Sequence, residues 1–433
     1  MRILGGKQNE RLGSKKKLSD LDKIRLTVGV ETTCKVYKEL EDHALVPRAF
    51  NDFECVDDLS TTLGGELGDL KTINLREEQV PAVNSVMSFL GNRYGAVLFA
   101  PCGKGKTVMG LEMIRRLGRK AVVLVHKTFL VEQWVERINM FFPEAKVGMW
   151  QRDIVPDGSE DIVIAMVQSL VNTNREYLPH LYEMFGTLVA DEVHRYAAPM
   201  WQDAITKFPA RNRIGLTATP ERRDGLHNVF LLHIGPIVYE MEGHKRQPLI
   251  WRVDTDLHIP HKNYQLWNGE VNTAKLITLV STDQARTDKI IRFTTRALKR
   301  GRKVLILSER VAHCKEMRRL LSDQLDDFTA GLYIGGMKQR DREQSAECDV
   351  VIGSYAMAQE GLDIPALDTL ILATPKTSIT QSVGRILREA PDKKDPVVVD
   401  FVDSKIRILE YYWLARLKKY NDLNYKLLTS IKN

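Results

Sequence analysis

The spacing of apolar residues changes character near residue 75. Upstream, apolar and polar side chains alternate in short runs: Ile24-Arg25-Leu26-Thr27-Val28, Cys34-Lys35-Val36-Tyr37 and, after Glu41-Asp42-His43, Ala44-Leu45-Val46-Pro47. A period of two predicts half-buried strands, and the polar triplet predicts a hairpin turn. From Leu75 onward, short unbroken apolar runs alternate with stretches of helical spacing. Unbroken apolar strands are buried on both faces, so this pattern predicts a parallel sheet covered by helices. The first block predicts strands at Val97–Phe99, Val122–Val125, Ile162–Ala165, Leu188–Ala190 and Ile214–Thr217, with helices including Phe129–Phe141 and Trp201–Lys207. A second block begins near Gly243. It predicts strands at Leu249–Val253, Val304–Leu307, Val350–Gly353, Leu370–Ala373 and Val397–Asp400, and helices at Asp283–Leu298, Val311–Leu321 and Ile379–Arg388. The aromatic, basic tail from Lys405 to Asn433 reads as helix. The fold class is therefore α/β: a small β-rich N-terminal domain (1–74), two tandem parallel-sheet domains (75–242 and 243–404) and a helical tail (405–433).

Composition narrows the class. A chain of 433 residues can bury several cores, and 43% hydrophobic with 27% charged residues suits a globular protein in water. No apolar run approaches the ~20 residues that span a bilayer, and the first residues carry no secretory pattern. The five cysteines are scattered without paired spacing, which argues against a structural metal and for the reducing cytoplasm. The formal charge of +7 mildly favours a polyanionic partner. Residues 51–69 carry six carboxylates and no lysine or arginine, so they are expected to serve as a connector or to face solvent.

Four stretches carry chemistry. Ala100-Pro101-Cys102-Gly103-Lys104-Gly105-Lys106-Thr107 lies between a predicted strand and a predicted helix. Such a turn aims backbone N–H groups and a helix dipole at one point, which suits phosphate. Gly103 and Gly105 let the backbone approach, Lys106 can reach the β and γ phosphates, and the Thr107 hydroxyl can hold magnesium. Ala100 stands where this pattern usually has glycine. The backbone amides and nearby lysines should also favour a thiolate at Cys102. In Leu188-Val189-Ala190-Asp191-Glu192-Val193-His194 an apolar strand ends in two carboxylates at the sheet's carboxyl edge. Asp191 can hold magnesium there, and Glu192 can orient and deprotonate a water. After another predicted strand, Thr217 and Thr219 offer hydroxyls toward His194, a route for coupling. In Gln381-Ser382-Val383-Gly384-Arg385-Ile386-Leu387-Arg388, a helix would place Gln381, Arg385 and Arg388 on one face, suited to a γ-phosphate.

In this order and spacing, the motifs resemble a superfamily 2 helicase of the DExH type. Leu75-Arg76-Glu77-Glu78-Gln79 resembles the adenine-contacting segment, which gives Arg76 and Gln79 cofactor-binding roles. His126, Lys127 and Thr128 resemble motif Ia, and Gln168-Ser169 the segment before the DExH box; both imply nucleic-acid contacts. Gln359-Glu360-Gly361-Leu362-Asp363-Ile364-Pro365 resembles motif V, in which Gly361 and Asp363 would contact nucleotide. DEAD-box enzymes have alanine and aspartate where Val193 and His194 stand. Asp191-Glu192-Val193-His194, the segment Glu221–His227 and the compact second domain are most similar to the XPB-like group and to phage branch-migration helicases of the UvsW type.

The resemblance implies two RecA-like lobes with ATP and magnesium between them. Lys106, Thr107, Asp191 and Glu192 would come from the first lobe, and Gln381, Arg385 and Arg388 from the second. It implies an ATP-dependent DNA helicase or translocase, expected as a monomer in the cytoplasm of a bacterium or phage-infected host. Its partner would be branched or forked DNA, processed by fork regression, branch migration or unwinding in replication, recombination or repair. Residues 1–74 would help select the junction. RNA remodelling, or an ATPase acting on a protein partner, are the alternatives.

Overall fold

The computed structural model describes residues 61–428, except 92, 94, 102, 173, 176, 195–198, 219–226, 244–245, 325–326, 361 and 363. It also describes the backbone of short strands within residues 1–60. The chain divides into two compact units, Met1–Glu242 and Gly243–Asn433.

The first unit is built on a seven-stranded sheet. Its strands are β1 (Gly95–Phe99), β2 (Ala121–Val125), β3 (Val147–Trp150), β4 (Ile162–Met166), β5 (Thr187–Asp191), β6 (Asn212–Thr217) and β7 (Ile237–Glu240). They lie in the order β3-β4-β2-β5-β6-β1-β7, and every pair is parallel. The central strands Ala121–Val125, Ile162–Met166 and Thr187–Asp191 are buried along their whole length. That is why they read as unbroken apolar runs. Helices α1 (Gln79–Leu90), α2 (Lys106–Leu117) and α3 (Thr128–Phe141) bury Val83, Met113, Trp134 and Ile138 in one of the unit's two cores. The other core gathers Trp150, Tyr182, Phe185 and Phe208.

The second unit repeats the plan. Its strands are β8 (Leu249–Asp254), β9 (Val304–Ser308), β10 (Ala330–Tyr333), β11 (Val350–Ser354), β12 (Thr369–Leu372), β13 (Val397–Val402) and β14 (Lys426–Leu428). The order β10-β11-β9-β12-β13-β8-β14, again parallel throughout, is the first sheet's order repeated strand for strand. Helices α4 (Gln284–Leu298), α5 (Val311–Gln324), α6 (Thr380–Ile386) and α7 (Arg407–Asp422) belong to this unit. On α7, Leu409, Trp413, Arg416 and Tyr420 are buried, at spacings that define one face. Arg416 makes two bonds to the Asp400 carboxylate, at 2.8 and 2.9 Å, and the Tyr420 hydroxyl donates to the same group at 2.8 Å.

Three expectations take a more definite form. The helix expected in the tail is α7, and beyond it Lys426–Leu428 pairs with β8 and completes the second sheet. The helix expected over Ile379–Arg388 ends at Ile386. The stretch from Thr62, expected to serve as a connector or to face solvent, exposes Glu66 and Asp69 but is also bonded into the first unit. The Thr62 and Gly65 amides donate to Pro209 O and Met184 O, and Gly65 O accepts from the Lys120 amide at 2.8 Å. Gly64 adopts φ +60°, and a Cβ there would sit 2.2 Å from the Gly186 nitrogen. This close backbone approach straps the segment to the first unit. Farther upstream, Lys38–Glu39 pairs antiparallel with Ala44–Pro47 around the turn expected at Glu41–His43, which lies outside the described residues.

Candidate active site

The phosphate loop leaves β1 and enters α2. Its first amide, Ala100 N, donates to Thr217 O at 2.9 Å and ties the loop to the end of β6. Gly103 and Gly105 have φ of +85° and +80°, the left-handed region that glycine enters without a Cβ clash. At Gly105 a Cβ would also lie 2.4 Å from Gln79 Nε2, so glycine is required there on two counts. Helix α2 starts at Lys106, so its unpaired first-turn amides open at the loop.

The predicted adenine-contacting segment braces this loop. Gln79 is 2% exposed; its Nε2 donates to Lys104 O at 2.8 Å, and its Oε1 accepts the Arg76 amide at 3.0 Å. Arg76 Nη2 reaches Gly103 O at 3.5 Å, and Lys104 Nζ pairs with Glu78 at 2.6 Å. Arg76 and Gln79 thus both contact the phosphate loop.

At the end of β5 the two carboxylates diverge. Asp191 is buried; its Oδ2 accepts from Trp134 Nε1 and its Oδ1 from the Glu192 amide, both at 2.9 Å. Burial, then the charge of Glu192, pushes the Asp191 carboxyl up to about 6. A cation beside it would favour the ionised form. Asp191 and Thr107 offer oxygen donors only, the set that suits magnesium, which takes few protein ligands and the rest from phosphate and water. Among the described residues no group of three or more His, Cys, Asp or Glu could hold a metal.

Glu192 has φ +49°, a conformation that costs a side-chain-bearing residue on the order of 1–3 kcal/mol. The turn brings Oε1 within 3.6 Å of Lys106 Nζ and Oε2 within 3.4 Å of His194 Nδ1. His194 Nδ1 also lies 3.0 Å from Thr217 Oγ1. Lys106, Glu192, His194 and Thr217 thus form one contact chain from the phosphate loop to the end of β6. Thr219 and Cys102 lie outside the described residues.

Two contributors escaped sequence reasoning. Trp134 lies in α3, outside every motif read from the sequence, yet it holds Asp191. Gly110 in α2 makes room for it, since a Cβ there would meet the Trp134 ring and Leu216 at 3.1 Å. Only the folded topology joins these positions.

The expected nucleic-acid residues gather in part. Gln168 Nε2 donates to His126 O at 2.7 Å, which brings the two segments together. Thr128 and Gln168 are exposed and Lys127 is half-buried. His126 and Ser169 are buried, so neither presents its side chain to a strand; the Ser169 hydroxyl instead accepts the Arg152 amide at 2.9 Å.

In the second unit, Gln381 is half-buried on α6, and Arg385 is buried with Nη1 donating to Leu362 O at 2.9 Å. Arg388 lies beyond the helix end, so the three do not share one helical face. Lys393 Nζ accounts for this path, donating to Arg388 O at 2.6 Å and Pro365 O at 2.7 Å. Burial pushes its ammonium down to about 8. Gly361 and Asp363 lie outside the described residues; Leu362 and Pro365 around them are tied to the arginine segment.

Two parallel sheets of one strand order in tandem, with a phosphate loop and an acidic pair in the first, define a RecA-like ATPase of the helicase class. Residues 72–222 match the family described as the type III restriction enzyme res subunit, and residues 285–390 the helicase conserved C-terminal domain. A protein of Acanthamoeba polyphaga mimivirus, L396, assigned by name as an ATP-dependent RNA helicase, is 32% identical over 83% of this chain and 71% of its own length. Helicase D10 of Escherichia phage T5, a probable helicase by name, is 25% identical over 69% of this chain and 66% of its own. The structure of S. cerevisiae Dbp5 bound to RNA and ADP BeF3 shares the fold, with a TM-score of 0.55 at 12% identity over 82% of this chain and 94% of that one. The chain belongs to the superfamily 2 helicases, in their viral and phage branch.

Proposed function

We propose that this helicase is an ATP-driven translocase that remodels branched DNA. The observation that carries the ATPase part is the chain Lys106–Glu192–His194–Thr217 beside a loop braced by Gln79. Lys106 and the α2 amides would bind the phosphates, and Glu192 would orient water and take its proton. Thr107 and Asp191 would hold magnesium, which when bound neutralises charge on the phosphates. Arg388 and Arg385 of the second unit would add positive charge as the phosphate bond breaks. Arg388→Ala should therefore slow hydrolysis far more than it weakens ATP binding, measured as kcat against nucleotide Kd.

Movement needs contacts that pass any sequence, which means phosphate contacts. Thr128, Gln168 and Lys127 are the accessible candidates. Junction choice would fall to the β strands upstream of residue 60, which lie outside the α/β sheet of the first unit. The name of the mimivirus relative favours RNA as a second reading. ATP hydrolysis measured with branched DNA, linear DNA and RNA tests both. Branched DNA should stimulate most; greater stimulation by RNA overturns the substrate. Removing residues 1–60, which leaves the Thr62 strap intact, should spare DNA-stimulated hydrolysis and abolish branch selectivity.

A further inference from the structure

The described tryptophan side chains divide sharply. Trp134, Trp150 and Trp413 are buried and Trp251 is half-buried, whereas Trp267 is 98% exposed. It stands at the tip of a built turn. The Leu266 amide donates to Glu270 O at 2.8 Å, and the Gly269 amide to Leu266 O at 3.0 Å. Gln265 and Val271 form an antiparallel bridge below the tip. Gly269 takes φ +87°, and Asn268 accepts the Glu270 amide through Oδ1 while donating to its carboxylate through Nδ2. At the base, the Asn272 amide donates to Tyr264 O at 2.7 Å. The Tyr264 ring anchors a small core of its own with Leu276, Ile277, Val280, Ile406 and Leu409. The indole is thus held out by a pedestal whose ordering cost is already met by the fold.

Its surroundings decide what it suits. A protein-docking tryptophan sits within an apolar patch. Here the apolar neighbour at the tip is Leu266, 39% exposed, while Gln265, Asn268, Gly269 and Glu270 around it are exposed and polar or small. Across residues 257–275 the one carboxylate is Glu270, against Lys262, Lys275, His258 and His261, all exposed. One rigid aromatic plane among exposed amides is the chemistry that stacks a single base.

We propose that Trp267 is a stacking platform for one unpaired base of a nucleic-acid strand. This rests on the reading of the chain as a nucleic-acid translocase and adds a contact that none of the recognised motifs contains. Stacking tolerates any base, so a moving strand can pass over it.

The test uses the full chain with oligothymidylate, oligouridylate and a blunt duplex. Trp267→Ala should raise the single-strand concentration for half-maximal ATPase stimulation about ten-fold, the scale of losing one stacked base. Trp267→Phe should recover most of that loss, and the single-strand-induced quench of tryptophan fluorescence should vanish in Trp267→Ala. Unchanged melting temperatures establish that the variants fold. A Trp267→Ala protein with wild-type half-saturation, or one weakened equally toward blunt duplex, overturns the platform. If no nucleic acid binds or stimulates the wild type, the translocase reading itself fails; if the wild type responds and Trp267→Ala matches it, the platform alone is wrong.

Discussion

At the scale of single residues, the acidic pair shows one strand end giving two adjacent carboxylates different work. Asp191 is turned inward and fastened by Trp134; Glu192, forced to φ +49°, is turned toward Lys106 and His194. Glu192→Gln keeps the volume and the neighbours but removes the base. We expect ATP still to bind while turnover falls by at least ~10², the usual scale for losing a general base; near-normal single-turnover hydrolysis would place the base elsewhere. Trp134→Phe keeps the ring and removes only the donor to Asp191. The magnesium concentration for half-maximal hydrolysis should rise several-fold, read by titrating the metal at saturating ATP, and an unchanged titration would make the indole a packing residue only. Lys106, Thr107, Asp191 and Glu192 were legible in the sequence because each motif is local. Trp134 was not, because its partner is 57 positions away.

At the scale of elements, legibility followed burial. The strands expected from apolar runs are the five inner strands of each sheet, and the two missed in each sheet are its edges. An edge strand is half solvated, so β3 and β10 mix exposed or half-buried positions with buried ones, and β7 and β14 are half-buried or exposed throughout. Exposed Met149, Glu240 and Lys426 interrupt the buried run that marks an inner strand. Helix α7 was legible as a helix, but what it carries was not: a buried arginine paired with a buried aspartate. Burial opposes the Arg416 charge, while the Asp400 carboxylate more than offsets this and holds the guanidinium above its ordinary range. Asp400→Asn would leave that charge without its counterion. A loss of about 3–5 kcal/mol follows from breaking one side of such a pair, visible in denaturant unfolding of the second unit; a shift below ~1 kcal/mol would mean that water reaches the site.

At the scale of the whole molecule, a buried histidine described in each unit resists protonation. Burial, then the charge of Arg213, pushes His233 down to about 3; burial, then Arg286, pushes His313 down to about 4. Above the ordinary value of 6.5 both are neutral, folded or unfolded, and stability is full. As pH falls through 6.5 the unfolded chain takes up protons that the native units refuse. Stability therefore drops until His313 charges near 4 and His233 near 3, by up to ~1.4 kcal/mol per pH unit for each. His313→Gln should flatten the acid limb of the second unit's unfolding curve, monitored between pH 7 and about 4; an unchanged slope would assign the acid sensitivity to other groups. The strand order has a consequence of another kind, in the time taken to make the protein. β1 pairs only with β6 and β7, and β8 only with β13 and β14. The first strand of each sheet thus stays unpaired until more than a hundred later residues have been synthesised, on the order of ten seconds at ribosomal rates. The strand left waiting in the first unit, Gly95–Phe99, is the one that leads into the phosphate loop. A nascent chain that has not yet reached Asn212 therefore carries the whole loop sequence with neither sheet neighbour of β1. Until then nucleotide has no formed site to bind and cannot shelter the apolar strand from aggregation.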